Sequence, residues 1–423
     1  MPQPLFLQCF TPGKNTSLGQ LSGILIALLS RDDQDLEQTT LKTLIVCLES
    51  PQKALFMKKY RVAIIGHTGQ GNFGHGLDTV WKSLPERFTV AGVTDLNEQG
   101  LANAVEKTGA EKGFTDYEKM LKELRPDIVA VCPRWITRHH ELAMAAADYN
   151  CHIFMEKPFC RTMAEADEVV STLEMKHLKL AIAHQSRYSP ILKLTKRLIK
   201  EGAIGTPLEI RGRGKEDRRG GGEDLWVLGS HVLDLFRGYF GDVDSCRATV
   251  MNAGKPAEMS QVVEGGEGLG PLLGDELHAE YTFADSPVRG YFSSVRNMGG
   301  SPSRFGLQIF GSQGVIDYYP NYLTPAFILK DSSWSPGRTE KAWEKISSAG
   351  IGLPEVKPDI GMTGGNKAAV LDLVDAIEKD RPTQSNAEDA RASMELILSV
   401  YESYRQNDVV SLPLENRQHP LVG

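Results

Sequence analysis

The six cysteines, Cys9, Cys47, Cys132, Cys151, Cys160 and Cys246, form no Cys-x-x-Cys pair and no tight cluster. That spacing excludes a zinc knuckle and a disulfide framework, and it favours a reducing, cytoplasmic setting. An excess of positive charge is also missing. Lys+Arg total 47 against 54 Asp+Glu, a net charge of −7, and no stretch concentrates the basic residues. Nucleic acid is therefore excluded as a general partner. The longest apolar run, Leu21 to Leu29, reaches only about half of the roughly 20 residues that a membrane-spanning helix needs. It also lacks a basic segment before it and an A-x-A site after it, so it is read neither as a membrane span nor as a secretory leader.

What is abundant is glycine, 41 residues in a chain of 423 that is 41% hydrophobic. That length predicts two to three globular domains. Residues 1–56 mix Pro, Gly, Ser and Thr with an acidic patch, Arg31 to Glu37, and show no alternation of strand and helix. They read as an extension outside the fold, with at most one marginal helix around 36–49. From residue 57 the texture changes. Apolar runs at 61–65, 88–93, 127–131, 151–155 and 179–183 alternate with amphipathic stretches near 75–84, 98–108, 116–125, 138–149 and 162–176. The last opens on a capping box, Thr162-x-x-Glu165. Such alternation predicts a doubly wound α/β domain with a parallel sheet over 57–184.

After about residue 205 the runs lengthen and alternate in character: 208–214, 243–251, 276–283, 288–295 and 305–318. The pattern from His278 to Phe283 predicts antiparallel strands with one solvated face. Helices are expected near 366–379 and 387–405. This is a second, α+β domain over 185–423 with a large, open, mainly antiparallel sheet. The glycine-rich stretches 264–274 and 348–365 read as loops, because neither lies between a strand and a helix.

One glycine cluster has that context. Directly after the first strand, Gly66-His-Thr-Gly69-Gln-Gly71-Asn72-Phe73-Gly74 contains the Gly-x-Gly-x-x-Gly spacing of a dinucleotide-binding turn. Glycine there permits the tight turn and the close approach of backbone to a pyrophosphate. Asp95 ends the second strand, 26 residues beyond Gly69, against a usual interval of about 20. A carboxylate at that point bonds the adenosine ribose hydroxyls and repels a 2′-phosphate, which favours NAD over NADP. The fourth strand runs from Cys151 to Met155 straight into Glu156-Lys157-Pro158, placing a charged pair at the carboxyl end of the sheet, where open α/β folds bind ligands.

With these features, and with Pro133, His139-x-Glu141, Gln185-Ser-Arg-Tyr188, Ile199 to Pro207, Gly220-Gly-Gly222 and Gly229-Ser-His231-Val-Leu-Asp234, the chain resembles the oxidoreductases grouped around glucose-fructose oxidoreductase, inositol dehydrogenase and MocA. The likeness covers about residues 60–415. It implies a nicotinamide cofactor held by Gly66, Gly69, Gly71, Asn72, Phe73, Gly74, Asp95, Pro133, His139, Glu156, Lys157 and Gln185. It also implies a substrate held against the second domain, with Lys157 touching both cofactor and substrate hydroxyl. The family commonly carries a carboxylate four residues before the histidine; here that position is Val227.

Hydride leaves a carbinol carbon only if the hydroxyl proton leaves too, so a base is required, and His231 has a suitable residue type. The Lys157 ammonium stabilises the developing alkoxide. Asp224 or Asp234 is expected to replace the missing carboxylate; Asp234 alternatively pairs locally on its helix. Catalysis is thus assigned to Lys157, His231 and Asp234. Substrate contacts are assigned to Tyr188, Arg187, Asp224 and His231, with the charged run Arg211 to Arg219 and the glycines at 220–222 alongside. His139 and His140 have no matching acids for a metal site.

The activity expected is a dehydrogenase acting on a carbinol of a sugar, polyol or related compound, in a homo-oligomer joined through the open sheet. Two alternatives remain: an NAD-using glycosidase or lyase that oxidises its sugar transiently, and a cofactor-binding regulator without chemistry. A chain beginning at Met57 should match the full chain in thermal stability and turnover; a large loss in either would place 1–56 inside the fold.

Overall fold

The computed structural model describes residues 58–422, so the reading of 1–56 and its marginal helix lies outside the described residues. The first sheet has six parallel strands: β1 (Tyr60–Ile65), β2 (Phe88–Thr94), β3 (Gly113–Phe114), β4 (Ile128–Val131), β5 (His152–Met155) and β6 (Leu180–Ile182). Their spatial order is β3-β2-β1-β4-β5-β6. The chain order reverses between β1 and β4, and their carboxyl ends part to leave a crevice. Both faces of the sheet are covered: Val62 and Ile64 enter one core cluster, Ala63 and Ile65 the other. Burial on both sides is why these strands read as unbroken apolar runs.

Four of the five expected helices are present: α1 (Glu98–Thr108), α2 (Tyr117–Leu124), α3 (His139–Asp148) and α4 (Met163–Met175). The capping box of α4 is half formed. Thr162 accepts from the Glu165 N–H, while Glu165 turns back to the N–H of Arg161. The helix expected at 75–84 is absent. Gly74 and Gly76 hold positive φ, and the chain coils through turns to a single 3₁₀ turn at Trp81–Ser83. The spacing of Leu77, Val80 and Trp81 is helical, and all three are buried. Beside them the same core receives Val370, Leu373 and Val374 from the helix Gly361–Glu378. A distant segment thus covers part of the sheet face that a local helix would otherwise cover.

The second sheet has eleven strands. Among the described residues only Pro207–Arg213 and Ser286–Val295 pair in parallel within it; the other pairs are antiparallel. Along Glu276–Phe283 buried positions alternate with exposed or half-exposed ones, as the sequence pattern requires. The run 305–318 is a hairpin, Gly306–Gly311 and Gly314–Tyr318, rather than one strand. The glycine-rich stretch 264–274 is more structured than a loop, because Val263–Glu264 pairs with Pro271–Leu272 across it. The stretch 348–365 holds a short strand, Gly350–Ile351, and the start of the helix at Gly361.

The segment that carries His231 is unusual. One helical turn, Gly222–Asp224, continues as a π-helical turn, Leu225–Gly229, into α5, which spans Ser230–Phe240. Gly212 on the sheet lets α5 approach closely: a Cβ there would sit 2.3 Å from Val232 Cγ1 and 3.0 Å from Phe236. Gly212→Ala should therefore lower the unfolding free energy by about 1–3 kcal/mol through overpacking, measurable by denaturant unfolding.

Candidate active site

The site is organised by a buried carboxylate. Glu156 leaves the end of β5 wholly buried. Its Oε1 accepts from the backbone N–H of His75 at 2.8 Å and meets the His75 Nδ1 at 2.6 Å; its Oε2 accepts from the N–H of Lys157 at 2.9 Å. Burial works to raise its pKa, but the His75 hydrogen bonds and the Lys157 charge prevail and hold it below the usual carboxylate value. The approach is close because Gly74 has no side chain; a Cβ there would lie 2.7 Å from the Glu156 Oε1.

Lys157 turns the other way. Its Nζ donates to the backbone carbonyl of Val227 at 2.9 Å. Burial depresses its pKa, opposed by Glu156 and Glu267. Lys157, Val227 and His231 line one cavity of about 260 Å³, together with His75, Arg134, Gln185, Lys215, Arg219, Glu267, Phe305, Asn321 and Met362. Burial first, then the charges of Lys157, His184 and His75, push the His231 pKa well below its ordinary value. Its ring stands edge-on to His184, centroids 5.4 Å apart.

A second crevice, about 220 Å³, opens where the sheet order reverses, lined by Gly66, His67, Thr94, Pro133 and Arg138 among others. The glycine loop lies beside it. Gly69 has φ +87° and open space beside its Cα, whereas a Cβ on Gly71 would strike the Arg134 and Trp135 backbone. Asn72 closes the loop, its side chain accepting from the N–H of Gly69, and the Phe73 ring packs over Gly66. The buried Nδ1 of His67 has no hydrogen-bond partner among the described residues. A crevice at the strand-order reversal, a glycine turn and an unsatisfied buried nitrogen fit a dinucleotide.

Several expected site residues spend their polar atoms on the protein itself. Asp95 is fully buried, and its oxygens are taken by the N–H and hydroxyl of Thr68 and the N–H of Asn97, so it fastens the glycine loop to α1. His139 directs both ring nitrogens at backbone carbonyls, Pro133 at 2.7 Å and Pro158 at 2.6 Å, and spans the loops after β4 and β5 from inside. Asp224 accepts from Ser294 and from the N–H groups of Lys215 and Glu216, which fixes the turn before the cavity and keeps the carboxylate out of it.

Asp234 does not line the cavity that His231 faces. It accepts from Ser393, stands 3.7 Å from both His184 and Arg187, and is held at about 2 because Arg187 and His184 outweigh the effect of burial. Arg187 pairs with Asp389 at 2.8 Å, and Tyr188 is buried. Helical spacing put Asp234 near His231, but one residue faces the cavity and the other the core. The glycines at 220–222 admit the backbones of residues 273–275 and 295–296 and do not border the cavity. Of the basic run, Lys215 and Arg219 reach the cavity, while Arg211 covers the Phe310 ring.

The family model described as an oxidoreductase family with an NAD-binding Rossmann fold, GFO_IDH_MocA, matches residues 60–184, and its companion C-terminal alpha/beta domain matches 196–412. The chain belongs to this family. It is an NAD-binding oxidoreductase. Levoglucosan dehydrogenase of Pseudarthrobacter phenanthrenivorans is 28% identical over 60% of this chain and 72% of its own. Myo-inositol 2-dehydrogenase of Thermotoga maritima is 27% identical over 40% of this chain and 51% of its own. A solved levoglucosan dehydrogenase in complex with NADH and levoglucosan shares the fold, with TM-score 0.67 and 20% identity over 84% of this chain and 100% of that one.

Because the folded-state pKa of Glu156 is depressed, its ionised form stabilises the fold above the unfolded carboxylate value, about 4.3. That contribution disappears as pH falls through the lower, folded value. The stability difference between wild type and Glu156→Gln should be largest near neutrality and shrink below about pH 4, followed by thermal unfolding.

Proposed function

We propose that the protein is a dehydrogenase that oxidises a carbinol of a sugar, polyol or related compound with NAD. The observation that carries the reading is the placement of Lys157 and His231 on one cavity, at the end of the strand that also supplies the loop-clamping Glu156. Gly69, Asn72, Pro133, Gln185 and the Glu156-fixed glycine loop would hold the cofactor. Bound NAD supplies the hydride acceptor.

The chain's own part is the proton and the charge. His231, kept neutral by burial, takes the hydroxyl proton at a ring nitrogen. The Lys157 Nζ exchanges the Val227 carbonyl for the substrate oxygen and stabilises its developing negative charge. Lys215, Arg219 and Asn321 offer donors to further hydroxyls. Arg187, Tyr188, Asp224 and Asp234 act from behind the cavity wall, on its shape.

A second reading has one observation in its favour. A glycosyl hydrolase family 109 protein of Akkermansia muciniphila is 30% identical over 39% of this chain and 37% of its own. Formation of a sugar product without net reduced nicotinamide would establish it.

We also read 57–184 and 185–423 as cofactor and substrate domains, the protein as located in a reducing compartment, and the outer face of the second sheet as a self-association surface. Among the described residues no helix is long and apolar enough to cross a membrane. Lys157→Ala should keep its fold by circular dichroism and lose turnover by at least about a hundredfold; retained turnover rejects the assignment. The acid limb of the kcat/KM profile should lie below pH 6.5, since the base keeps its proton only below its lowered pKa.

A further inference from the structure

Two carboxylates line the reaction cavity, and only one is occupied by structure. Glu156 is committed to His75 and the Lys157 N–H, whereas Glu267 has among the described residues a single ion-pair partner, the Arg134 guanidinium at 3.2 Å, and the Arg134 and Glu267 side chains are each 36% exposed. The backbone under Glu267 is strained. It has φ +55° within a glycine-rich segment where neighbouring Gly268 and Gly270 also hold positive φ. A left-handed conformation suits glycine and is costly for a long side chain, and such strain gathers at functional sites.

Local packing explains Gly268, because a Cβ there would lie 2.7 Å from the Trp135 ring, but it does not call for an acid at 267. Arg134 follows Pro133 on the loop after β4, so the ion pair joins that loop to the 264–274 segment across the cavity. Lys157 and His231 line the same cavity, and the side chain at 227 is apolar.

We propose that Glu267 is a substrate-orienting carboxylate, which accepts hydrogen bonds from two neighbouring hydroxyls of a polyol while Lys157 and His231 act on the carbinol. Arg134 holds the carboxylate in place. This rests on the dehydrogenase reading above. A carboxylate has acceptor sites for two hydroxyl donors, whereas a carboxamide offers one acceptor oxygen and presents N–H donors in place of the other. The substrate class is therefore a compound with a free vicinal diol beside the carbinol.

The test uses the full chain, NAD, and whichever member of a broad panel of sugars and polyols, glucose, myo-inositol and sorbitol included, the wild type oxidises best, together with that compound's deoxy analogue lacking the neighbouring hydroxyl. Glu267→Gln should raise KM about tenfold, with kcat and NAD affinity little changed. The same variant should remove most of the wild type's preference for the polyol over the deoxy analogue. Glu267→Gly should show the same kinetic loss with a raised Tm, since it relieves the φ strain. Unchanged KM in Glu267→Gln, or a preference that persists in it, overturns the role. A wild type that transfers no hydride to NAD from any member of this broad panel of sugars and polyols overturns the dehydrogenase reading instead.

Discussion

The site depends on one buried anion. A carboxylate out of water is costly unless its oxygens are satisfied. Glu156 meets that requirement with His75 and with the N–H of its own neighbour. Satisfying the charge brings the glycine loop against the end of β5 and orients Lys157 toward the second domain. The lysine then reaches the Val227 carbonyl in the π-helical turn that leads to His231. Cofactor loop, ammonium and imidazole are in this way tied to a single side chain.

Around that centre most of the remaining buried charges serve placement. Asp95, His139, Asp224 and Asp234 each spend their oxygens or nitrogens on backbone groups, hydroxyls or neighbouring charged side chains, and none lines the cavity. They fix four different segments: the glycine loop, the loops after β4 and β5, the turn at 215–216, and the contact of α5 with the helix Ala387–Gln406. The reacting groups remain few, with both pKa values lowered first by burial, and that of His231 further by the charge of Lys157.

Much of this was legible in the order of residues. Five of the six strands of the first domain were readable because burial on both faces leaves no polar interruption, the two-residue Gly113–Phe114 being too short to register, and Glu156-Lys157 stood out because charge follows such a run directly. The helix at 75–84 misled because Leu77, Val80 and Trp81 have helical spacing while Gly74 and Gly76 break the backbone beneath it. Asp95 and Asp234 were placed at the site by sequence interval, and an interval says nothing of which way a side chain turns. Arg134 and Glu267 carried no local signal. They meet only because a loop of the first domain and a glycine-rich segment about 130 residues later close on the same cavity.

The helix Gly361–Glu378 gives the molecule its mechanical character. It leaves the second half of the chain and sends Ala369, Val370, Leu373 and Val374 into the core beneath Val62 and Ile64. The nucleotide-binding sheet therefore lacks part of its hydrophobic cover until nearly the whole chain has been made. On the ribosome that half remains an incomplete fold with an apolar face exposed to water. Once complete, the shared core couples the stability of the first sheet to that of the helix Gly361–Glu378, so neither gains its full burial without the other.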